Sequence, residues 1–75
     1  MNNKSISIEV RSIVAEILAL SDISEDASQE NTPEWDSMAY ISIVSAIEDE
    51  YGIEISEDNI DDFGSIEEIL RKVIA

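Results

Sequence analysis

Pro33 limits what this chain can become more than any other residue. It is the only proline among 75 residues, and with a fixed φ and no N–H to donate it cannot lie inside a helix, so regular structure has to restart after it. The segment reads Thr32-Pro33-Glu34-Trp35-Asp36-Ser37-Met38. Asp36 and Ser37 are both favoured N-cap types. With Asp36 as the cap, Trp35 falls just before it and Tyr40 at the fourth helical position, the spacing of a hydrophobic staple that fixes the helix entry angle. Gly52 is placed to take the left-handed conformation that ends such a helix, so the spacing predicts a helix from about Ser37 to Tyr51.

Helical spacing also organises the two ends of the chain. Ile6, Val10, Ile13, Val14, Ile17 and Leu18 predict a first helix from Ser5 or Ser7 to Leu20, with Glu9 near its start suiting the dipole. Ser21 to Glu34 reads as a polar loop in which only Ile23 and Ala27 are apolar, and its length points to a functional role in bringing the chain across to Ser37. After Ile53-Glu54-Ile55, Ser56 can cap a short helix from Glu57 to about Asp62, Phe63 supplies a core aromatic and Gly64 breaks the chain. Ser65 and Glu68 form an S-x-x-E capping box that opens a last helix, in which Ile66, Ile69, Leu70, Val73 and Ile74 keep helical spacing and Arg71 and Lys72 lie near the negative end.

These segments predict one all-α domain over residues 1–75, a small antiparallel bundle of three main helices and one short helix. The expected core is Val14, Ile17, Val44, Ile47, Ile55, Phe63, Ile69 and Val73. On the second helix, Tyr40, Ile41, Ile43, Val44, Ile47 and Tyr51 share one broad face, which is expected to be core. Met38, Ser42, Ser45 and Asp49 fall on the other side. Met38 is thus an apolar residue on a polar surface beside Ser37, the mark of a docking point, although single exposed apolar residues are common. The helix is a candidate recognition surface, with Met38 as anchor and Glu48 and Asp49 as charges further along; a plain solvated face is the alternative.

Composition removes several function classes. The chain has no cysteine, so disulfides and thiolate metal sites are excluded, and no histidine, so the usual proton shuttle near neutral pH is missing. The paired acids Asp61-Asp62 and Glu67-Glu68 look like solvated surface and no nucleophile–base constellation is visible, so catalysis is not expected. The Asp58 to Gly64 stretch invites comparison with a calcium loop, but Ile60 stands at the third ligand position, Phe63 at the obligatory glycine and Ile69 at the twelfth position, which rules out an EF-hand. No metal site is expected.

Eighteen acidic residues against four basic ones give a formal net charge of −14, and ten of the acids lie between Glu48 and Glu68 without a Lys or Arg among them. A field of one sign argues against nucleic acid or an anionic membrane surface and favours partners with basic patches. The amino terminus, Met1-Asn2-Asn3-Lys4-Ser5, leads into a stretch interrupted by Glu9, Arg11 and Glu16 and reads as neither signal peptide nor membrane span. A cytoplasmic monomer is the expectation.

A helix start offers unpaired backbone N–H groups and the positive end of the dipole, so a phosphodiester on the Ser37 hydroxyl would be favoured there. The plainer alternative is a serine that only caps a helix. Beyond the tripeptide, the chain resembles the acyl carrier protein family over nearly its whole length, without insertion or deletion. Asp36-Ser37-Met38 matches the family's Asp-Ser-Leu/Met signature. Glu48-Asp49-Glu50-Tyr51-Gly52 resembles its acidic run closed by an aromatic, and Ile53-Glu54-Ile55 its short extended link.

The resemblance implies that Ser37, flanked by Asp36 and Met38, carries covalent 4′-phosphopantetheine from coenzyme A, whose thiol holds an acyl or aminoacyl group as a thioester. It implies as partners a phosphopantetheinyl transferase and enzymes that load, modify and transfer the cargo. It also implies a core able to open between the second and third helices, with Val44, Ile47, Tyr51, Ile55, Phe63 and Ile69 as the crevice; Tyr51 and Phe63 could fill it and shorten any chain it accepts. Carriers of the dissociated fatty acid synthase usually have Gly two residues before the Asp and acids in the first turns after the serine, where this chain has Glu34, Ala39 and Ser42. With Trp35 before Asp36, it looks more like stand-alone carriers of specialised pathways, such as modified sugars, polyketides or aminoacyl transfer. The rival reading is an unmodified acidic helical protein that occupies a basic partner surface and has no need of Ser37.

Overall fold

A computed structural model describes residues 3–74; Met1, Asn2 and Ala75, the first two belonging to the terminus discussed above, lie outside the described residues. Three α-helices follow in order, α1 (Asn3–Leu18), α2 (Ser37–Tyr51) and α3 (Ile66–Ile74), with a 3₁₀ helix over Ile60–Phe63 before the last. Among the described residues there is no strand, only an isolated antiparallel bridge between Ser28 and Ser65. The fold is an all-α bundle in which α1 packs on both α2 and α3 and the 3₁₀ helix sits against α2 and α3. No helix among the described residues is long and apolar enough to cross a membrane.

Helix α1 buries Val10, Val14 and Leu18, four residues apart, together with Ala15, while Ile6, Ile13 and Ile17 flank the stripe half-buried. It begins earlier than Ser5, because neither proline nor glycine stands between Asn3 and Ile6 to stop propagation. It also ends at Leu18 rather than Leu20. Ala19 turns left-handed at φ 60°, its N–H reaches the Glu16 carbonyl (3.2 Å) and the Leu20 N–H the Ala15 carbonyl (2.9 Å). These two bonds form a Schellman cap with alanine in the place usually held by glycine. The early start moves Glu9 out of the first turn, so it serves no dipole; its carboxylate accepts the Tyr51 hydroxyl at 2.8 Å and joins α1 to α2.

The loop from Ala19 to Asp36 is polar in sequence and fixed in space. Ile23, Ala27 and Trp35 are buried. Asn31 serves as the hub: its Oδ1 accepts the Ser28 N–H (2.9 Å) and the Thr32 hydroxyl (2.8 Å), and its Nδ2 donates to the Asp26 carbonyl (3.0 Å). The Gln29 N–H to Gly64 carbonyl bond (2.8 Å) and the Ile66 N–H to Ala27 carbonyl bond (3.1 Å) lace the loop to the entrance of α3. Trp35 is the largest fully buried side chain, and with Val10 and Ile66 it joins the core beyond the residues expected there; Ile43, on the α2 face expected to be core, is buried as well. Of the expected core residues, Val14, Val44, Ile47, Phe63 and Ile69 are buried, whereas Ile17, Ile55 and Val73 only pack against the rim.

The segment before α3 departs from expectation in one respect. No helix runs from Glu57 to Asp62, since Ser56 and Asn59 satisfy the backbone locally. The Ser56 N–H donates to Asn59 Oδ1 (2.8 Å), and the Asn59 and Ile60 N–H groups both reach the Ser56 carbonyl (3.1 and 2.9 Å). The two backbone bonds make a single turn, the Asn59 side chain takes up the Ser56 N–H locally, and the regular structure that follows is the 3₁₀ turn over Ile60–Phe63, with Phe63 buried as expected. Ser65 then opens α3: its hydroxyl accepts the Glu68 N–H (3.1 Å) and donates to Glu68 Oε1 (3.3 Å). Arg71 and Lys72 occupy the last turn as expected, Arg71 paired with Glu67 and Lys72 with Asp62 (3.1 Å).

Candidate functional site

Helix α2 has the predicted bounds because both of its ends are chemically marked. Asp36 is extended (φ −88°, ψ −175°), and its Oδ1 accepts the Ala39 N–H at 2.9 Å. Ser37 and Met38 therefore occupy the first two helical positions, whose N–H groups have no intrahelical acceptor in any α-helix. At the far end Gly52 takes φ 64°, and its N–H bonds the Glu48 carbonyl at 2.9 Å, closing the left-handed cap. Trp35 and Tyr40 hold the two staple positions, the first buried and the second half-buried. The serine is thus presented at a helix start closed by the Asp36 cap.

Ser37 is exposed, and Met38 beside it is 82% exposed. Ser42, Ser45 and Asp49 lie exposed along the same helix, so these members of the expected recognition face are accessible together. Glu48 is different: it is half-buried, and its Oε2 accepts the Ile55 N–H at 3.2 Å, tying the link after α2 back onto the helix. Ile41 corrects the expected core face. It is 56% exposed, because it sits about 100° round from Tyr40, beyond the edge of the stripe formed by Ile43, Val44 and Ile47. Met38 and Ile41 give the first turn and a half of α2 two exposed apolar side chains beside the serine.

The residues expected to form a crevice are distributed through a closed interior. Ile47 and Ile69 are 0% exposed, Phe63 and Val44 are buried, and Ile55 is half-buried at the rim. Tyr51 points its hydroxyl to Glu9 on α1. Its ionisation is raised well above the ordinary 10.0, first by burial and then by the hydrogen bond to Glu9 and the nearby charges of Glu9 and Glu50. The cleft that touches Ser37 is elsewhere, a shallow space of about 270 Å³ lined by Gln29, Ser37, Tyr40, Ile41, Ile60 and Asp61.

Tyr40 is the site residue whose role the sequence did not reveal. Its hydroxyl donates to the Ile60 carbonyl and accepts the Phe63 N–H at 3.1 Å, bridging α2 to the 3₁₀ helix. Burial raises its ionisation above 10.0, the hydrogen bond with Phe63 works against this, and Asp61, Glu68 and Asp62 add to the rise. The partners lie 20 and 23 residues away in sequence, so no local pattern announces them. The staple spacing signals a half-buried ring at this position and nothing more.

Among the described residues no hydrogen bond joins the Ser37 hydroxyl to a side chain that could act as its base, and the chain contains no histidine or cysteine. Residues 9–73 match the family model described as Phosphopantetheine attachment site. The chain belongs to the phosphopantetheine-binding carrier family. Comparison with curated proteins gives no match. Members of this family, which include the acyl carrier proteins, bear 4′-phosphopantetheine covalently on a serine, and theirs is a carrier domain and not a catalytic one. The start of α2 in this carrier suits that group: an exposed hydroxyl at the positive end of the helix, with the Ser37 and Met38 N–H groups in the first turn, which have no intrahelical acceptor.

Proposed function

We propose that Ser37 is the serine that bears 4′-phosphopantetheine and that the protein carries an acyl or aminoacyl group between biosynthetic enzymes. The observation that carries this reading is the exposed Ser37 at the first position of α2, with Asp36 capping the helix so that the hydroxyl stands at its positive end. When bound, the group supplies a thiol that holds cargo as a thioester. Attachment requires a phosphopantetheinyl transferase. The Ser37 oxygen bonds to phosphorus, the pyrophosphate linkage of coenzyme A breaks, adenosine 3′,5′-bisphosphate departs and the hydroxyl proton passes to a base on the transferase.

Partners meet the exposed face of α2. Met38, with Ile41 beside it, offers an apolar anchor, Ser42 and Ser45 leave room for close approach, and Asp49 together with the acid-rich stretch that follows steers enzymes bearing basic patches. Glu48 supports this surface from behind by holding Ile55. A flexible tether raises the effective concentration of cargo at a docked active site, so docking itself can stay weak and exchange quickly. The departures at Glu34, Ala39 and Ser42 favour a specialised pathway over fatty acid synthesis.

Intact mass after incubation with coenzyme A and a broad-specificity transferase tests the reading. Wild type should gain the mass of one phosphopantetheine and Ser37→Ala should gain none. An unmodified wild type, or equal labelling of the variant, would return the chain to the class of acidic proteins that simply cover a basic surface.

A further inference from the structure

Tyr40 lines the cleft beside Ser37 and also ties α2 to the 3₁₀ helix, whose Phe63 is buried in the interior. Tyr40 stands three residues along α2 from Ser37, with its hydroxyl bonded to both the Ile60 carbonyl and the Phe63 N–H. Its ring lies alongside Gly64, where a Cβ would come 3.7 Å from Cε2. Tyr40 and Ile60 also line the cleft of about 270 Å³ that touches Ser37. At about 30 Å³ per water in the liquid, a space of about 270 Å³ has room for roughly nine non-hydrogen atoms. A longer chain has to lie in solvent or part α2 from the 3₁₀ helix. Parting them removes the Tyr40 hydroxyl from two half-buried backbone groups at once, which leaves both unsatisfied.

On the reading that Ser37 is the attachment point, we propose that Tyr40 is a latch that determines cargo class. It keeps the interior shut, so a short acyl group finds room only in the cleft, when the tether folds back toward Ser37, and longer ones stay exposed to water. Gln29 and Asp61 at the rim of the cleft give it a polar edge, which suits a short cargo bearing a hydroxyl, amide or amino group. The latch is a positioning device: the hydroxyl acts on the backbone of the 3₁₀ helix and through it on access to Phe63, Ile47 and Ile69.

Two measurements with Tyr40→Phe, which keeps the ring and removes the hydroxyl, test the latch and the cargo claim separately. In the unmodified chain, amide exchange at Phe63 should quicken by about fivefold to tenfold in the variant while exchange at Ile47 stays unchanged. No change at Phe63, or an equal change throughout, would show that the hydroxyl closes nothing. Both proteins are then loaded by a transferase from butyryl-coenzyme A and from lauroyl-coenzyme A, and NMR signals of Ile47, Phe63 and Ile69 are compared. In wild type the two loads should give the same core signals; in Tyr40→Phe the lauroyl load should shift them. A wild-type core that responds to lauroyl, or a variant core that does not, overturns the assignment of cargo class to Tyr40. If neither coenzyme A derivative adds mass to wild type, the attachment reading itself has failed and the cargo claim falls with it, whatever the exchange result.

Discussion

The two long connections of this bundle converge beside Ser37 and are held in opposite ways. The first, Ala19 to Asp36, is anchored by apolar side chains driven into the core, Ile23, Ala27 and Trp35, with Asn31 folding the polar residues around them. The second, Gly52 to Ser65, buries only Phe63 and leaves Ile53, Ile55 and Ile60 half-buried. Hydrogen bonds from two α2 side chains hold it instead: Glu48 to the Ile55 N–H, and Tyr40 to Ile60 and Phe63. Burying a side chain the size of Ile23 contributes about 1.5–3 kcal/mol and the larger Trp35 more, whereas a hydrogen bond contributes about 1 kcal/mol net. The first connection is therefore part of the scaffold that aims the serine, and the second is the side on which the bundle opens at least cost.

Trp35→Ala breaks this contrast most severely. The indole is 1% exposed, and truncating a buried aromatic costs about 3–5 kcal/mol. That is a large share of the roughly 4–11 kcal/mol expected of a domain this size. Urea unfolding should show a global loss, with α1, α2 and the first connection weakening together. Trp35→Phe should be far milder, because the indole Nε1–H finds no hydrogen-bond partner among the described residues and its removal relieves an unsatisfied donor. If Trp35→Ala cost no more than Tyr40→Phe, the first connection would not be the scaffold side.

The same contrast explains what could be read from the sequence. Helix α2 was legible to the residue because Asp36 and Gly52 are residue types with a mechanism at helix ends, and the α3 start was legible from Ser65 and Glu68 for the same reason. The exposure of Ser37 and Met38 followed from those bounds. The end of α1 was not legible, since its cap uses Ala19 where pattern looks for glycine. Nor was the burial of Trp35, which stands between Glu34 and Asp36 in a stretch with no period. Ile41 shows the limit of face counting: at the margin of a stripe, burial is decided by which neighbour arrives, and here a shallow cleft leaves the side chain 56% exposed. The Tyr40 bridge lay furthest out of reach, because bonds to a carbonyl and an N–H made across the fold leave no mark on local composition.

Titration sharpens the comparison, because only the second connection is held by a group that can ionise in the accessible range. A tyrosinate cannot donate, so the Tyr40 bond to Ile60 and the Tyr51 bond to Glu9 exist only with the hydroxyls protonated. Both tyrosines are raised above 10.0 in the folded protein, chiefly by burial, so above that pH the unfolded chain binds fewer protons than the folded one. Their contribution is complete below pH 10 and is lost as pH climbs through the folded values. Melting temperatures of wild type and of a Tyr40→Phe/Tyr51→Phe double variant, followed from about pH 8 to 11, should differ by several degrees at the lower end, and the gap should begin to narrow above pH 10 without closing by pH 11, because the folded Tyr51 hydroxyl ionises well above that. A constant gap would mean that the hydroxyls contribute through packing and not as donors.

The smallest expected effect lies where the first connection begins. Ala19 closes α1 in the left-handed region at φ 60°, exposed to solvent. An L-residue in that conformation carries a penalty of about 1–2 kcal/mol from the contact between Cβ and the carbonyl. Glycine escapes it but loses more backbone entropy on folding, by roughly 0.5–1 kcal/mol. The difference leaves Ala19→Gly more stable by about 0.5 kcal/mol, a shift of only a few degrees in melting temperature. The two Schellman bonds, to Glu16 and Ala15, are made by backbone groups and survive the change, so the gain should come without altering the slope of a urea titration. A loss of stability with a steeper slope would mean instead that Ala19 restrains the unfolded chain more than it strains the folded one. The anchoring of the first connection would then begin at Ile23 and not at the helix end.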